Sequence, residues 1–326
     1  MTDPKQTLTF TIEDLTPSKW FKQAEGSSVW VAGYNMHKVP SSTIPAGPQF
    51  VDFDAIRAVF IYGSGPYLDT KAVNTQFSDE GLIIVQGISQ IESQLPEGAY
   101  LLLLAPFDIE GKLGDELAVR QRLSEVIGLL VAFEGRNIAF RHLFDNIHEL
   151  GKPERSVISP TIDLPFNLPA PNLSQSRLQS IVETDKRISE QAEAVSNRIR
   201  LSLRWFEAAT YDSDVDAFLK YWIALETLAM PNTTNIQPVN ESLAAAYNRS
   251  MQEVGQVYHI GRLSDLRNRI VHDGLIASIS SPLLDYVAAV YTDVLSQIVG
   301  TPCEMKAHKI ITEQGIDPLT IIPAIQ

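Results

Sequence analysis

Hydrophobic and polar positions divide the chain into a strand-rich first half and a helical second half. Two segments of the first half, at about 115–133 and 138–150, show helical periodicity. Short apolar runs broken by glycine and proline predict strands near 8–12, 28–34, 58–62, 81–86 and 100–105. Together these elements predict a mixed α+β domain over residues 1–158.

Four prolines within residues 160–171 separate the two halves. Because proline cannot continue a helix interior or a central strand, we expect residues 159–175 to form an extended connector. After residue 300 a tail, 301–326, ends in a run of apolar residues around 321–325. We expect this tail to pack against the rest of the protein.

The segment between connector and tail, residues 176–300, has helical periodicity throughout. It predicts five helices with short connections, which is typical of a bundle. The first of them could be one long helix or two nearly continuous ones. The five are expected at about 174–209, 213–230, 241–254, 263–273 and 281–300. The fold class is therefore α+β, with a mixed N-terminal domain followed by an all-α bundle.

The helix predicted at 263–273 has one apolar side. Leu263, Leu266 and Ile270 follow one another at spacings of three and four, which indicates a core-facing stripe. Gly274 is a typical residue just beyond a helix C-terminus. His272 is therefore expected in the last turn, where the helix dipole favours the imidazolium form.

Three polar side chains of this helix, Arg267, Asn268 and His272, fall outside the apolar stripe. At about 100° per residue, Asn268 and His272 lie roughly 40° apart on the adjoining face. The long side chain of Arg267 can swing toward the histidine. A permanent guanidinium charge beside an imidazole of adjustable charge suits phosphodiester chemistry.

These residues resemble the Arg-x-x-x-x-His motif of the HEPN superfamily, including the polar residue directly after the arginine. Upstream, the segment YWIALETL at 221–228 resembles the Trp-x-x-Leu-Glu helix of the Apea-like HEPN branch. That helix precedes the motif helix in the branch as well. The resemblance covers roughly residues 176–300.

The resemblance implies a function. Members with the full motif are typically metal-independent endoribonucleases, often in toxins and anti-phage systems, whereas members with a degraded motif bind or scaffold. Arg267 would stabilise phosphate charge, His272 would act as acid or base, and Asn268 would orient them. No cofactor or metal is expected. Two copies of the motif meet across a dimer interface in this family, which implies a homodimer through the helical domain. The resemblance also implies RNA as the substrate and an antitoxin or a phage-derived trigger as a partner.

Several charged residues are candidates for supporting roles. Glu226 could pair with and orient Arg267 or Arg269, or it could form an ion pair that serves packing alone. His259 is expected to be a surface histidine rather than part of the site. The remaining arginines near the motif or on the first long helix are candidates for RNA contact: Arg198, Arg200, Arg204 and Arg262.

The net charge of −13 argues against broad nucleic-acid affinity, which depends on neutralising phosphates. The arginines clustered around the motif still permit a local basic cleft, which suits a nuclease that grips a few phosphates. The acidic surface favours the alternative, a non-catalytic dimeric HEPN binding module whose N-terminal domain senses a ligand. Four aromatic residues of the first half, Trp20, Trp30, Tyr34 and Tyr62, could stack on bases, but aromatic strand residues are usually core. One cysteine, Cys303, no apolar run of membrane-spanning length and no signal-peptide pattern at the N-terminus predict a cytoplasmic protein without a membrane partner.

Overall fold

The computed structural model divides the chain into two compact units. Unit 1 comprises Met1–Leu123 and Ile138–Val182, and unit 2 comprises Ser124–Asn137 and Glu183–Gln326. The division therefore differs from the boundary that we expected at 159–175. The residues that the structure describes are 28–36, 39–40, 49–63, 67–77, 83–94, 98–107, 113–138, 140–149, 157–160, 172–275 and 277–323. The strand expected at 8–12 and most of the expected connector lie outside them.

Unit 1 is built on a six-stranded antiparallel sheet of order β3-β4-β7-β1-β8-β9. Two further strands, β5 and β6, pair with each other as an antiparallel hairpin, and the short β2 and β10 pair in parallel. The strands are β1 (Ser28–Met36), β2 (Val39–Pro40), β3 (Gln49–Phe53), β4 (Ile56–Gly63), β5 (Tyr67–Phe77), β6 (Ile83–Gln94), β7 (Gly98–Phe107), β8 (Phe140–Glu149), β9 (Val157–Pro160) and β10 (Asn172–Leu173).

The centre of the sheet is mostly apolar, because β1, β4 and β7 bury hydrophobic residues on both of their faces; the buried amide of Asn35 donates to the carbonyl of Ala99 at 3.0 Å. Alternate residues of these strands form one hydrophobic cluster: Val29, Val31, Val59, Ile61, Tyr100, Leu102 and Leu104. Strands at 28–34, 58–62 and 100–105 were expected and are present with longer extents; for the strand expected at 81–86, the described residues from Ile83 onward form β6. The α+β fold class is confirmed.

The prediction of a helix at 138–150 is wrong. Residues Phe140–Glu149 form strand β8, which pairs with β1 along Ser28–Met36 and with β9 on its other side. A local pattern that is compatible with a helix is overridden by two neighbouring strands, since β-structure depends on cross-strand partners more than on intrinsic preference.

Unit 2 is helical. It contains the second part of α1, from residue 124 onward, and the second part of α2, from residue 183 onward. The helices are α1 (Leu113–Glu134), α2 (Gln175–Ser189), α3 (Glu193–Thr210), α4 (Asp214–Ala229), α5 (Gln237–Tyr247), α6 (Met251–Tyr258), α7 (Ile260–Asp273), α8 (Ser281–Val299), α9 (Lys306–Thr312) and α10 (Pro318–Ile321). The helical bundle predicted for this part of the sequence is confirmed.

Two of the expected helices are interrupted. The segment expected at 174–209 consists of two helices, α2 and α3, which was one of the two alternatives. The helix expected at 241–254 is split into α5 and α6, because Asn248 adopts a left-handed conformation with φ 52°. That conformation cannot continue a right-handed helix, and asparagine tolerates it better than most residues.

Helix α8 lies at the centre of unit 2 and anchors the C-terminal tail. Its Asp293 is fully buried and accepts hydrogen bonds from the backbone N–H groups of Lys306 (2.9 Å) and Ala307 (2.8 Å), which are the first residues of α9. The hydroxyl of Tyr247 donates to the same carboxylate at 2.6 Å. Farther along the tail, Ile322 is buried. The tail therefore packs against the bundle, as expected.

None of the helices in the described residues is both long and apolar enough to cross a membrane.

Candidate active site on helix α7

Helix α7 has well-defined ends that fix the position of the motif. His259, with φ 51°, joins α6 to α7 in a left-handed conformation. At the other end Gly274 has φ 66°, and the N–H groups of Gly274 and Leu275 both donate to the carbonyl of Arg269. This is the glycine-terminated end that the sequence predicts. His272 therefore lies in the last turn of α7.

The buried side of α7 is nearly the expected one. Leu263 and Leu266 are fully buried, but Ile270 is only partly buried and extends the stripe less than expected. Asn268 and His272 are exposed, and a quarter of the Arg267 side chain remains accessible. The motif thus faces solvent while the leucines hold the helix in the bundle.

A chain of polar contacts links α4 to the motif. The buried indole Nε1 of Trp222 donates to Oε1 of Glu226 at 2.8 Å. The second oxygen of that carboxylate, Oε2, faces Nη2 of Arg267 at 3.5 Å. Nη1 of Arg267 in turn donates to Oδ1 of Asn268 at 3.0 Å. Of the two arginines proposed as partners of Glu226, the contact is with Arg267, whereas Nε of Arg269 pairs with Asp273 at 3.4 Å.

The part of Trp222 in this chain was not recognised from the sequence as a site contribution. Its signal is the spacing of four residues between Trp222 and Glu226, which places both on one face of α4. A tryptophan N–H usually finds a partner when the ring is buried. Here the partner is the carboxylate that faces Arg267, so the core of the bundle fixes the carboxylate orientation.

The contact to Arg267 also determines how the Asn268 amide is oriented. Arginine can only donate hydrogen bonds, so the atom of Asn268 facing it must be the carbonyl oxygen Oδ1. The Nδ2 amine, with two donors, is directed away from Arg267 and has no hydrogen-bond partner among the described residues. It can donate to a bound acceptor.

His272 stands apart from this chain of contacts. Its exposed ring makes no hydrogen bond or ion pair within the described parts of the chain. The structure therefore joins Arg267, Asn268 and Glu226 directly and leaves the imidazole open to solvent.

A shallow depression of about 440 Å³ lies on the exposed face of α7. Its lining consists of two cations, one carboxylate and the motif asparagine, namely Arg262, Asp265, Asn268 and Arg269. Arg262, a candidate for RNA contact, and Arg269, a candidate supporting residue, are thus brought next to Asn268.

The arginines on α3 lie in a different environment. Nη1 of Arg200 pairs with Glu125 at 3.0 Å and lies 3.8 Å from the buried Asp185, while Nε of Arg204 lies 3.9 Å from Glu125. The side chain of Arg200 is 15 % exposed, and Arg198 is half-buried. A basic RNA-binding surface on α3 therefore has no support from Arg200 and Arg204, whose charges are compensated inside unit 2.

The aromatic residues considered for base stacking are core residues where the structure describes them. Trp30 and Tyr34 are 2 % and 8 % exposed, which leaves no ring face for a base. Trp20 and the side chain of Tyr62 lie outside the described residues. Over the described residues, no group of three or more His, Cys, Asp or Glu side chains is arranged to hold a metal ion.

Searches against protein-family models, curated proteins and solved structures found no match to this chain.

Proposed function

We propose that unit 2 is a metal-independent endoribonuclease of the HEPN type. The observation that carries the proposal is the exposed end of α7. There, Glu226 and Asn268 both contact the guanidinium of Arg267, and the ring of His272 is open to solvent. Cleavage of a phosphodiester bond uses these two kinds of side chain. Arginine donors match phosphate oxygens, and histidine transfers protons near neutral pH.

The reaction uses the nucleophile that RNA itself carries. A base removes the proton of a 2′-hydroxyl, whose oxygen forms a bond to the adjacent phosphorus. The bond from phosphorus to the 5′-oxygen of the next nucleotide breaks, and an acid protonates that oxygen. Arg267 stabilises the additional negative charge on the phosphorane. The products are a 2′,3′-cyclic phosphate and a 5′-hydroxyl end.

Two proton transfers require two acid–base groups, whereas each chain contributes one histidine to the motif. We therefore include in the proposal a two-fold homodimer in which His272 of both copies faces one phosphodiester. Light scattering at micromolar concentration should show a dimer. A strict monomer that retains cleavage activity would reject this part of the proposal.

The biological setting proposed for this activity is anti-phage defence or toxin-like growth arrest in the cytoplasm. An antitoxin or a phage-derived trigger would then control the nuclease. This part rests on the resemblance to the HEPN family, and expression of the wild-type chain in bacteria tests it through growth and RNA integrity.

A second candidate is a non-catalytic HEPN dimerisation and binding module with the N-terminal domain as ligand sensor. Two observations favour it: the guanidinium of Arg267 already contacts Glu226 and Asn268, and the chain carries a net charge of −13. Such a module would bind without cutting. The two candidates differ in whether RNA is cleaved at all.

The end groups of the products test the proposed reaction. Purified protein is incubated with total bacterial RNA in excess EDTA, and the new ends are analysed by phosphatase and kinase treatment. We expect cleavage that survives EDTA and leaves 2′,3′-cyclic phosphate and 5′-hydroxyl ends. Loss of cleavage on chelation, or 5′-phosphate ends, would contradict the mechanism. Arg267→Lys is the matched control, since an ammonium keeps the charge but not the forked contact with phosphate.

A further inference from the structure

The exposed face of α7 carries two arginines beyond the motif arginine. Arg262 and Arg269 both line the depression of about 440 Å³, with Asp265 between them. Residues spaced by three, four and seven positions share one face of a helix. This face continues directly into the motif, because Asn268 is part of the same lining.

Arg262 is available to a ligand, and Arg269 lies in an exposed ion pair. The exposed guanidinium of Arg262 makes no ion pair or hydrogen bond within the described residues. Arg269 pairs with Asp273 at 3.4 Å, and the side chains of the pair are 37 % and 62 % exposed. An ion pair this exposed contributes little free energy, so a phosphate can replace the carboxylate at little cost.

Spacing and chemistry define what this face can bind. Arg262 and Arg269 are seven positions apart, which corresponds to about 10 Å along the helix axis. That distance exceeds the size of a single phosphate group and corresponds to separate phosphates of one chain. The Nδ2 amine of Asn268 adds two hydrogen-bond donors at the motif end of the face.

We propose that the depression lined by Arg262, Asp265, Asn268 and Arg269 is a phosphate-binding subsite for a single RNA strand. The inference rests on the proposed ribonuclease function and names its substrate class. The strand runs along α7 from the motif toward the N-terminus of the helix. Arg269 and Arg262 hold successive parts of its backbone, and Asp265 opposes binding because its carboxylate repels phosphate.

A single strand suits this face better than a duplex. The face belongs to one helix, and the major groove of an A-form duplex is too deep and narrow for side chains to enter. A flexible strand can instead follow the row of donors and place its 2′-hydroxyl at the motif. The short row also agrees with a chain whose overall charge disfavours broad RNA binding.

Binding of an RNA that cannot be cut tests the subsite separately from catalysis. The probe is a fluorescein-labelled single-stranded 2′-O-methyl oligonucleotide of mixed sequence, which lacks the nucleophilic hydroxyl. Its affinity for the full chain is measured by anisotropy at several salt concentrations. The variants are Arg262→Ala and Asp265→Asn, and the control is Lys186→Ala, an exposed lysine on α2 that pairs with Glu190 at 3.8 Å.

We expect opposite effects from the two changes on this face. Arg262→Ala should weaken binding and lower the slope of log K against log salt by about 0.7, the value for one phosphate contact on a single strand. Asp265→Asn should tighten binding, and Lys186→Ala should leave it unchanged. Opposite signs from neighbouring residues would not arise from a general disturbance of the helix.

Several results would overturn the inference. They are absence of binding to the oligonucleotide, an unchanged slope and affinity for Arg262→Ala, or tighter binding of the matching 2′-O-methyl duplex. Cleavage of unmodified RNA by the same variants distinguishes failure of the subsite from failure of the proposed ribonuclease function. Cleavage without any Arg262 effect rejects only the subsite, whereas Arg262-dependent binding without cleavage rejects only the nuclease.

Discussion

The indole N–H of Trp222 donates to one oxygen of Glu226 at 2.8 Å, one helical turn away on α4. The other oxygen of Glu226 faces the guanidinium of Arg267 at 3.5 Å. Because the tryptophan is buried and the arginine is partly exposed, the carboxylate connects the core of the bundle to the solvent-facing motif. Glu226 then orients Arg267, and Trp222 acts as a positioning residue through it.

Replacing Trp222 with phenylalanine should reduce cleavage without removing the arginine. The phenyl ring keeps an aromatic side chain in the core but leaves part of the indole volume empty. Oε1 of Glu226 loses its donor, and the carboxylate can rotate away from Arg267. We expect the free energy of unfolding to fall by about 1–3 kcal/mol, because a partly buried carboxylate loses one hydrogen bond and the core loses part of the indole volume. Single-turnover cleavage should also fall.

A double-mutant comparison identifies the cause of that fall. In a Glu226→Gln background, Trp222→Phe should reduce cleavage less than it does in the wild type, since the two residues act through one contact. Equal reductions in both backgrounds, or wild-type cleavage by Trp222→Phe, would contradict the positioning role.

Cys303 should be unreactive in the folded protein. Burial, together with the carboxylate of Asp293 at 3.4 Å from its sulfur, raises the pKa of the Cys303 thiol to about 12. The thiolate, which is the reactive form, is then scarce at pH 8. We expect iodoacetamide to label the native protein far more slowly than the same protein in urea. Equal labelling rates would show that the tail does not hold Cys303 as described.

Asp145 should make the stability of unit 1 sensitive to acid. Burial favours a raised pKa, but the hydrogen bonds and charges of His142, Trp30 and Arg120 outweigh burial and hold the pKa of Asp145 below its ordinary value. A carboxylate with a lowered folded-state pKa stabilises the fold above its unfolded pKa, and the contribution is lost as the pH falls through the folded pKa.

The substitution Asp145→Asn measures that contribution. We expect it to lower the free energy of unfolding at pH 7 and to have a smaller effect well below pH 4, where the wild-type carboxylate also becomes protonated. Urea unfolding of both proteins at the two pH values gives the comparison. If Asp145→Asn lowers the free energy of unfolding equally at both pH values, or more at the acidic one, the result would contradict the pairing of Asp145 with His142, Trp30 and Arg120.

Local patterns predicted the elements whose causes are local. Gly274 marked the end of α7, and the spacing of Leu263 and Leu266 identified its buried side. Strand β8 was not predicted, because the hydrogen bonds that make it a strand come from β1, which is far away in sequence. The break at His259 also has no strong local signal, since histidine is only moderately enriched at positive φ.

The same distinction applies to the site. The upstream helix was sufficient to propose Glu226 as a partner of Arg267 or Arg269, and the contact is with Arg267. The motif spacing also placed the Arg267 side chain within reach of His272, but Arg267 contacts Glu226 and Asn268 instead. The environment of Arg200 could not be anticipated. Its partner Glu125 lies 75 residues earlier in the chain, and sequence proximity gives no indication of such a pair.

Replacing His272 with alanine separates catalysis from folding. The exposed imidazole should contribute little to stability, so we expect the free energy of unfolding to change by no more than about 1 kcal/mol, as for a surface substitution. Leu266→Ala, the matched core variant on the same helix, should cost about 2–5 kcal/mol.

The most direct measurement is the rate of RNA cleavage by wild type and His272→Ala under identical conditions in EDTA. Loss of a general acid or base should lower this rate by roughly 10²–10⁴ while the protein stays folded. Wild-type cleavage by a folded His272→Ala variant would contradict the assignment of His272 as the acid–base group. Unfolding of His272→Ala beside a harmless Leu266→Ala would show instead that the motif is structural.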